Sequence, residues 1–154
     1  MAKSFLLAFI GGSGLYQIED LKNQKWINIK TPWGSPSDRI LSGTVNNNKV
    51  LFLPRHGRSH IYNPSEINYR ANIYALKKLG ATDIISLSAC GSLKENLSPG
   101  TFVLVDQFID KTITRKKTFF EDGIVAHVSM ANPTSKLIRS ACVEVLKKLK
   151  IKHQ

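Results

Sequence analysis

Short apolar runs and helix-period stripes alternate along this chain, with Gly, Pro and Asn marking the breaks. Residues 5–10 form an apolar run of strand length that breaks into Gly11-Gly12-Ser13-Gly14. Residues 15–21 are a candidate helix opening. Residues 40–45 and 49–53 flank Asn46-Asn47-Asn48 and predict a hairpin that Pro54 ends. Asn63-Pro64-Ser65-Glu66 is a helix start with Pro near the first turn. It predicts a helix over 65–79, with Ile67, Ala71, Tyr74 and Ala75 on one face and Gly80 as the stop. Residues 83–89 are mostly apolar and predict a buried central strand. Pro99-Gly100 is a turn before a further strand at 101–105. Asn132-Pro133-Thr134 precedes a last helix at 134–149, where Leu137, Ile138, Ala141, Cys142, Val145, Leu146 and Leu149 form an apolar stripe. The pattern predicts an α/β fold: a mixed twisted β-sheet flanked by helices. The chain ends five residues after Leu149. A helix with so broad a stripe normally returns into another strand. The expectation is a sheet that is incomplete in this chain or completed by another, against the plainer alternative of a small complete domain.

At 154 residues the chain is about one domain long. No run approaches the roughly 18 apolar residues of a membrane span, and no targeting segment is evident. These features predict a cytoplasmic protein with no membrane partner. Cys90 and Cys142 make neither a CxxC nor a zinc pattern and are expected reduced, as small buried residues. The net charge of +11 raises a nucleic-acid reading. Yet the lysines are spread, and only residues 111–117 cluster. No aromatic residues interleave with them as a stacking platform requires. A solvated basic surface that steers a small anion is the better reading.

Three loops that follow predicted strands carry the candidate chemistry: Ser13, the pair Arg55-His56, and Ser88-Ala89. In an open α/β sheet, ligands sit outside the carboxyl ends of the strands. Together these loops supply two hydroxyls, backbone N–H groups, a guanidinium and an imidazole. That set suits a phosphate dianion, with arginine as a planar bidentate donor and small residues allowing backbone approach. Ordinary roles stay open: a surface ion pair for Arg55, core or surface histidines for His56 and His60, a strand filler for Ser88. A metal at His56 and His60 is disfavoured, since no acidic ligand lies beside them and their loop is not helical.

The set Ile10-Gly11-Gly12-Ser13-Gly14-Leu15, Thr31-Pro32-Trp33-Gly34-Ser35-Pro36-Ser37-Asp38, Arg55-His56-Gly57-Arg58-Ser59-His60 and Asn68-Tyr69-Arg70-Ala71-Asn72-Ile73 resembles the S-methyl-5′-thioadenosine phosphorylases. So do Ser88-Ala89-Cys90-Gly91-Ser92-Leu93, Pro99-Gly100-Thr101-Phe102-Val103 and Asp106-Gln107-Phe108-Ile109-Asp110-Lys111-Thr112. These enzymes belong to the purine nucleoside phosphorylase superfamily. The resemblance runs through the whole chain in order.

The resemblance implies attack of inorganic phosphate on C1′ of methylthioadenosine, giving adenine and 5-methylthioribose 1-phosphate. Phosphate is then a co-substrate, and no metal or organic cofactor is expected. Ser13 and Ser88 would donate hydroxyls and Ala89 a backbone N–H. Arg55 and His56 would make the ionic contacts, with His60 in support. His127 matches a segment that reaches a neighbouring subunit's 5′-pocket in homotrimers. Family members are longer, and their purine-binding and proton-donating residues match nothing here. The whole of 1–154 therefore reads as the N-terminal part of one nucleoside phosphorylase domain, inactive alone, with its catalytic proton donor unidentified. Two alternatives remain: a 6-oxopurine nucleoside or methylthioinosine phosphorylase, and a non-enzymatic basic module binding RNA or phosphorylated ligands.

Overall fold

The opening apolar run forms a strand, β1 (Leu7–Gly11), in a computed structural model that describes residues 5–12 and 18–154. Four more strands join it: β2 (Lys22–Ile27), β3 (Ile40–Val45), β4 (Asn48–Pro54) and β5 (Asp83–Ser86). Their order in the sheet is β2-β3-β4-β1-β5. The β3–β4 hairpin is antiparallel, with Leu41 opposite Phe52. Asn46 and Asn47 reverse it at φ 48° and 64°, the left-handed conformation that asparagine tolerates well among non-glycine residues. β1 runs parallel to both its neighbours, with Leu7 opposite Val50 on one side and Asp83 on the other.

Period-two alternation divides the strands between two cores. On one face Ala8, Ile10, Leu51 and Leu53 pack with Ile40 and with Ala75 and Leu76 of α1 (Tyr69–Lys78). On the other, Leu41, Val50 and Phe52 pack with Leu21, Phe9 and Trp26. The Phe9 and Phe52 rings stack at 5.0 Å. α1 begins at residue 69, later than the expected 65. The Asn68 side chain caps it by accepting from the Ala71 N–H at 3.1 Å. The upstream Asn63-Pro64-Ser65-Glu66 closes a turn of its own, in which Asn63 Oδ1 accepts from the N–H groups of Ser65 and Glu66.

These strands and α1 lie in a first unit, residues 1–89 and 114–119. The second unit comprises residues 90–113 and 120–154. Its helix, α2 (Lys136–Lys148), is capped by Ser135. Beyond it the backbone lies parallel to residues 102–104. The Phe102 N–H donates to the Lys152 carbonyl (3.0 Å), and the Gln154 N–H to the Phe102 carbonyl (2.9 Å).

Several expectations need correction. The buried central strand at 83–89 is shorter, and it is an edge strand paired only with β1, with half-exposed side chains. Its apolar character marks a strand that no second neighbour covers among the described residues. Residues 101–105 contribute one bridge, Phe102 with His153, rather than a strand. The α2 stripe, by contrast, is as an incomplete sheet would leave it, largely uncovered: Leu146 is buried, while Leu137 is 78% and Val145 54% exposed. Cys90 is exposed rather than buried. Of the candidate helix at 15–21, residues 15–17 lie outside the described residues; residues 18–21 form a turn in which the Leu21 N–H donates to the Ile18 carbonyl (3.1 Å). β2 was not anticipated. It is polar and mostly exposed, and among the described residues it pairs only with β3.

Candidate anion site at the carboxyl ends of three parallel strands

β4, β1 and β5 run parallel, so their carboxyl ends share one edge of the sheet. The loops leaving β4 and β5 are tied to the end of β1 from either side. The Arg55 N–H donates to the Gly11 carbonyl at 2.9 Å, and the Leu87 N–H to the Ile10 carbonyl at 2.8 Å. Between them lies Gly12. Among the described residues, nothing stands within 4 Å of where a Cβ there would project. Open space over a backbone is what an anion needs to reach N–H groups.

Arg55 spans the two loops. Its Nη1 donates to Ser88 Oγ at 2.5 Å and lies 3.4 Å from the Leu87 carbonyl. Its Nε donates to His56 Nε2 at 3.2 Å. That bond assigns the tautomer: Nε2 offers a lone pair, so Nδ1 carries the proton and donates to the Tyr62 carbonyl at 2.8 Å. The His60 ring stacks on His56 at 4.6 Å. Among the described residues no carboxylate lies within ion-pair distance of Arg55, so its charge is not neutralised in the way a surface ion pair would be.

A second set of bonds holds the turn of this loop. The Asp38 carboxylate accepts from the Arg58 backbone N–H (2.8 Å), Nε (2.9 Å) and Nη2 (3.1 Å), and from the Arg39 N–H (2.7 Å). The Arg58 guanidinium carbon stands 4.2 Å over the Trp26 ring. Burial pushes the Asp38 carboxyl up, but the Arg58 side chain, the two backbone N–H groups and the Arg58 charge outweigh it. They hold the carboxyl below its ordinary value. Beside Asp38, the Ser37 N–H donates to Asn72 Oδ1 (2.8 Å), and Asn72 Nδ2 donates to Ser37 Oγ (2.9 Å). Both residues are buried. At Gly57, φ is +74° and a Cβ would lie 3.3 Å from the Ser37 carbonyl, so this turn sits against the Ser37-Asp38 segment.

Of the expected residues, the fold brings Arg55, His56, His60 and Ser88 together. Ala89 follows Ser88 at the exposed end of the β5 exit. Ser13 lies outside the described residues. His127 is exposed and belongs to the second unit. Asp38, Arg58 and Asn72 were not anticipated as part of the site's support. Asp38 and Asn72 lie in the compact Thr31–Asp38 and Asn68–Ile73 motifs and Arg58 in the Arg55–His60 motif, polar residues that had no assigned task. A guanidinium, a hydroxyl, an imidazole and an open glycine backbone can bind an oxyanion. Among the described residues, no three His, Cys, Asp or Glu side chains converge as metal ligands, and no helix is long and apolar enough to cross a membrane.

The family model of the Phosphorylase superfamily matches residues 6–154. The S-methyl-5′-thioadenosine phosphorylase of Rhodospirillum rubrum is 53% identical over 149 residues, covering 97% of this chain and 51% of that protein. That of Cereibacter sphaeroides is 52% identical over 139 residues, covering 90% and 48%. A methylthioadenosine phosphorylase from an Antarctic soil metagenomic library superposes with a TM-score of 0.92 at 48% identity, covering 99% of this chain and 53% of its own. The Schistosoma mansoni methylthioadenosine phosphorylase in complex with adenine gives 0.87 at 40% identity, covering 94% and 54%. The chain thus spans about half the length of the curated relatives it matches. With its mixed sheet, its strand-end loops and a family match over nearly its whole length, this chain belongs to the phosphorylase superfamily.

Proposed function

We infer that this chain carries the phosphate-binding half of an S-methyl-5′-thioadenosine phosphorylase. The observation that supports this best is the Arg55–Ser88 contact. It joins the exits of β4 and β5 beside the open Gly12 backbone. A phosphate there would draw the guanidinium and the hydroxyl off each other and onto its oxygens. Ser13, His56 and the Ala89 N–H complete the proposed set, and His60 packs on His56.

In the whole protein a phosphate oxygen attacks C1′ of the nucleoside. The C1′–O bond forms as the C1′–N9 bond breaks, and adenine leaves with a proton from a donor outside this set. Positive charge develops at C1′, so an anion held in line stabilises the transition state. Arg55 orients the phosphate without removing its charge from the reaction centre. Methylthioadenosine is the proposed nucleoside because relatives more than half identical to this chain carry that name. The proposed whole protein is a homotrimer of the cytoplasm, with His127 entering a neighbour's 5′-pocket. The exposure of His127 and the two free cysteines fit this.

Titration of the 154-residue chain with inorganic phosphate tests the reading, alongside adenine release from methylthioadenosine and base release from inosine. Saturable phosphate binding that Arg55→Ala weakens, with no turnover by this chain alone, is the expected result. Absence of phosphate binding, or base release from inosine only, would overturn it.

A further inference from the structure

We propose that Asp38 is a positioning residue for the anion site: it holds the loop of residues 55–60 so that the Arg55 guanidinium points across to Ser88. The proposal rests on the phosphate reading for its functional meaning, but its geometry stands apart from it.

The loop has two fastenings. One is at its start, where the Arg55 N–H bonds to the Gly11 carbonyl. The other is at its turn, where the Asp38 carboxylate takes three N–H groups of Arg58 alone. Inside the loop, bonds run from the Gly57 N–H to the Pro54 carbonyl, from His60 to Gly57 and from Tyr62 to His56. Moving the turn therefore moves the Tyr62 carbonyl and His56 together. His56 is what holds Arg55 Nε.

Asp38 is itself anchored. It follows Ser37, which is bonded twice to the buried Asn72 inside α1. The path from helix to anion site is thus Asn72, Ser37, Asp38, Arg58, the loop, His56 and Arg55. Apart from the Ser37–Asp38 peptide and the loop backbone, each link is a hydrogen bond made by a side chain. The Asp38 side chain is 12% exposed and that of Arg58 37%. A surface ion pair of mobile side chains would position nothing. This pair is bidentate, adds a backbone donor, and lies with its guanidinium over Trp26.

The test uses the full 154-residue chain and two readouts. One is solvent exchange of the Arg55 Nε–H resonance in NMR without ligand; the other is affinity for inorganic phosphate. In Asp38→Asn, exchange at Arg55 Nε should quicken and phosphate affinity fall about tenfold, as for a group displaced from its productive position. The β1–β4 amides should keep their protection, which a generally loosened fold would not allow. Asp38→Glu should recover part of both effects. If Asp38→Asn does not fold, Arg58→Lys removes the fork but keeps the charge, and the same changes are expected. A folded variant with unchanged Arg55 Nε exchange overturns the proposal. If wild-type chain ignores phosphate and Arg55→Ala changes nothing, the phosphate reading fails, while the Nε exchange still decides the role of Asp38.

Discussion

Arg55 Nε donates to His56 Nε2 across 3.2 Å, so the imidazole acts toward its neighbour as an acceptor. The resemblance implies that His56 also contacts the anion. In the structure its Nε2 holds Arg55 Nε, so the ring orients the guanidinium.

Arg55→Ala should therefore weaken phosphate binding by ~1.5–3 kcal/mol, the range for a hydrogen bond to a charged group. Arg55→Lys should recover only part, because an ammonium cannot reach Ser88 and His56 with one planar fork. Phosphate titration of both variants checks this. Equal affinity of the Arg55→Lys and wild-type chains would contradict the orienting role of His56.

Asp38 predicts an acid-sensitive contribution to stability. Its carboxyl is held below the ordinary value in the folded state, so folding favours its charged form. The contribution is complete above the ordinary aspartate range of about 3.9 and is lost as pH falls through the lowered value. Urea unfolding of wild type and Asp38→Asn should show a stability gap near neutrality that narrows on acidification below pH ~4. A gap independent of pH would remove Asp38 as its source.

Asn72→Ala should destabilise the chain by roughly 2–3 kcal/mol. It strips two hydrogen bonds from a buried pair and leaves the Ser37 N–H and hydroxyl without a partner. Denaturant midpoints with an unchanged slope would report it.

Gly43→Ala should cost about 1–3 kcal/mol through overpacking. A Cβ there would come within 2.5 Å of Leu21 Cδ1 and 3.0 Å of the Lys22 carbonyl. The backbone oxygen cannot swing aside as a side chain can. Thermal unfolding measures the effect, and Leu21→Ala should relieve part of it.

The hairpin was legible because Asn46 and Asn47 carry a left-handed turn between two β-rich runs. β2 was not, because Lys22–Ile27 is polar and lies at a sheet edge, where burial imposes no alternation. Residues 83–89 showed the hydrophobicity of an interior strand but not its place in the sheet, which depends on which strands flank it. In the site, the Arg55-His56 dipeptide and the small-residue loops were visible as chemistry. The reach of Arg55 to Ser88 was not, since parallel pairing through β1 brings those positions together. The Asp38–Arg58 clamp was hidden for the same reason: nothing local joins a carboxylate ahead of β3 to a turn beyond β4.

The bond from the Arg55 N–H to the Gly11 carbonyl has a consequence in time. The β3–β4 hairpin closes through a two-residue turn, an event of roughly 1–10 μs in isolated hairpins. β1 must instead find β4 by parallel pairing across the intervening chain, and β5 must then find β1, so both close large loops first. The loop carrying Arg55 gains its Gly11 anchor only at the first of these steps, and Ser88 arrives only at the second. During refolding, hairpin signals should recover early. The guanidinium–hydroxyl contact should be among the last to form, so that capacity to hold an anion serves as a clock for completion of the parallel sheet.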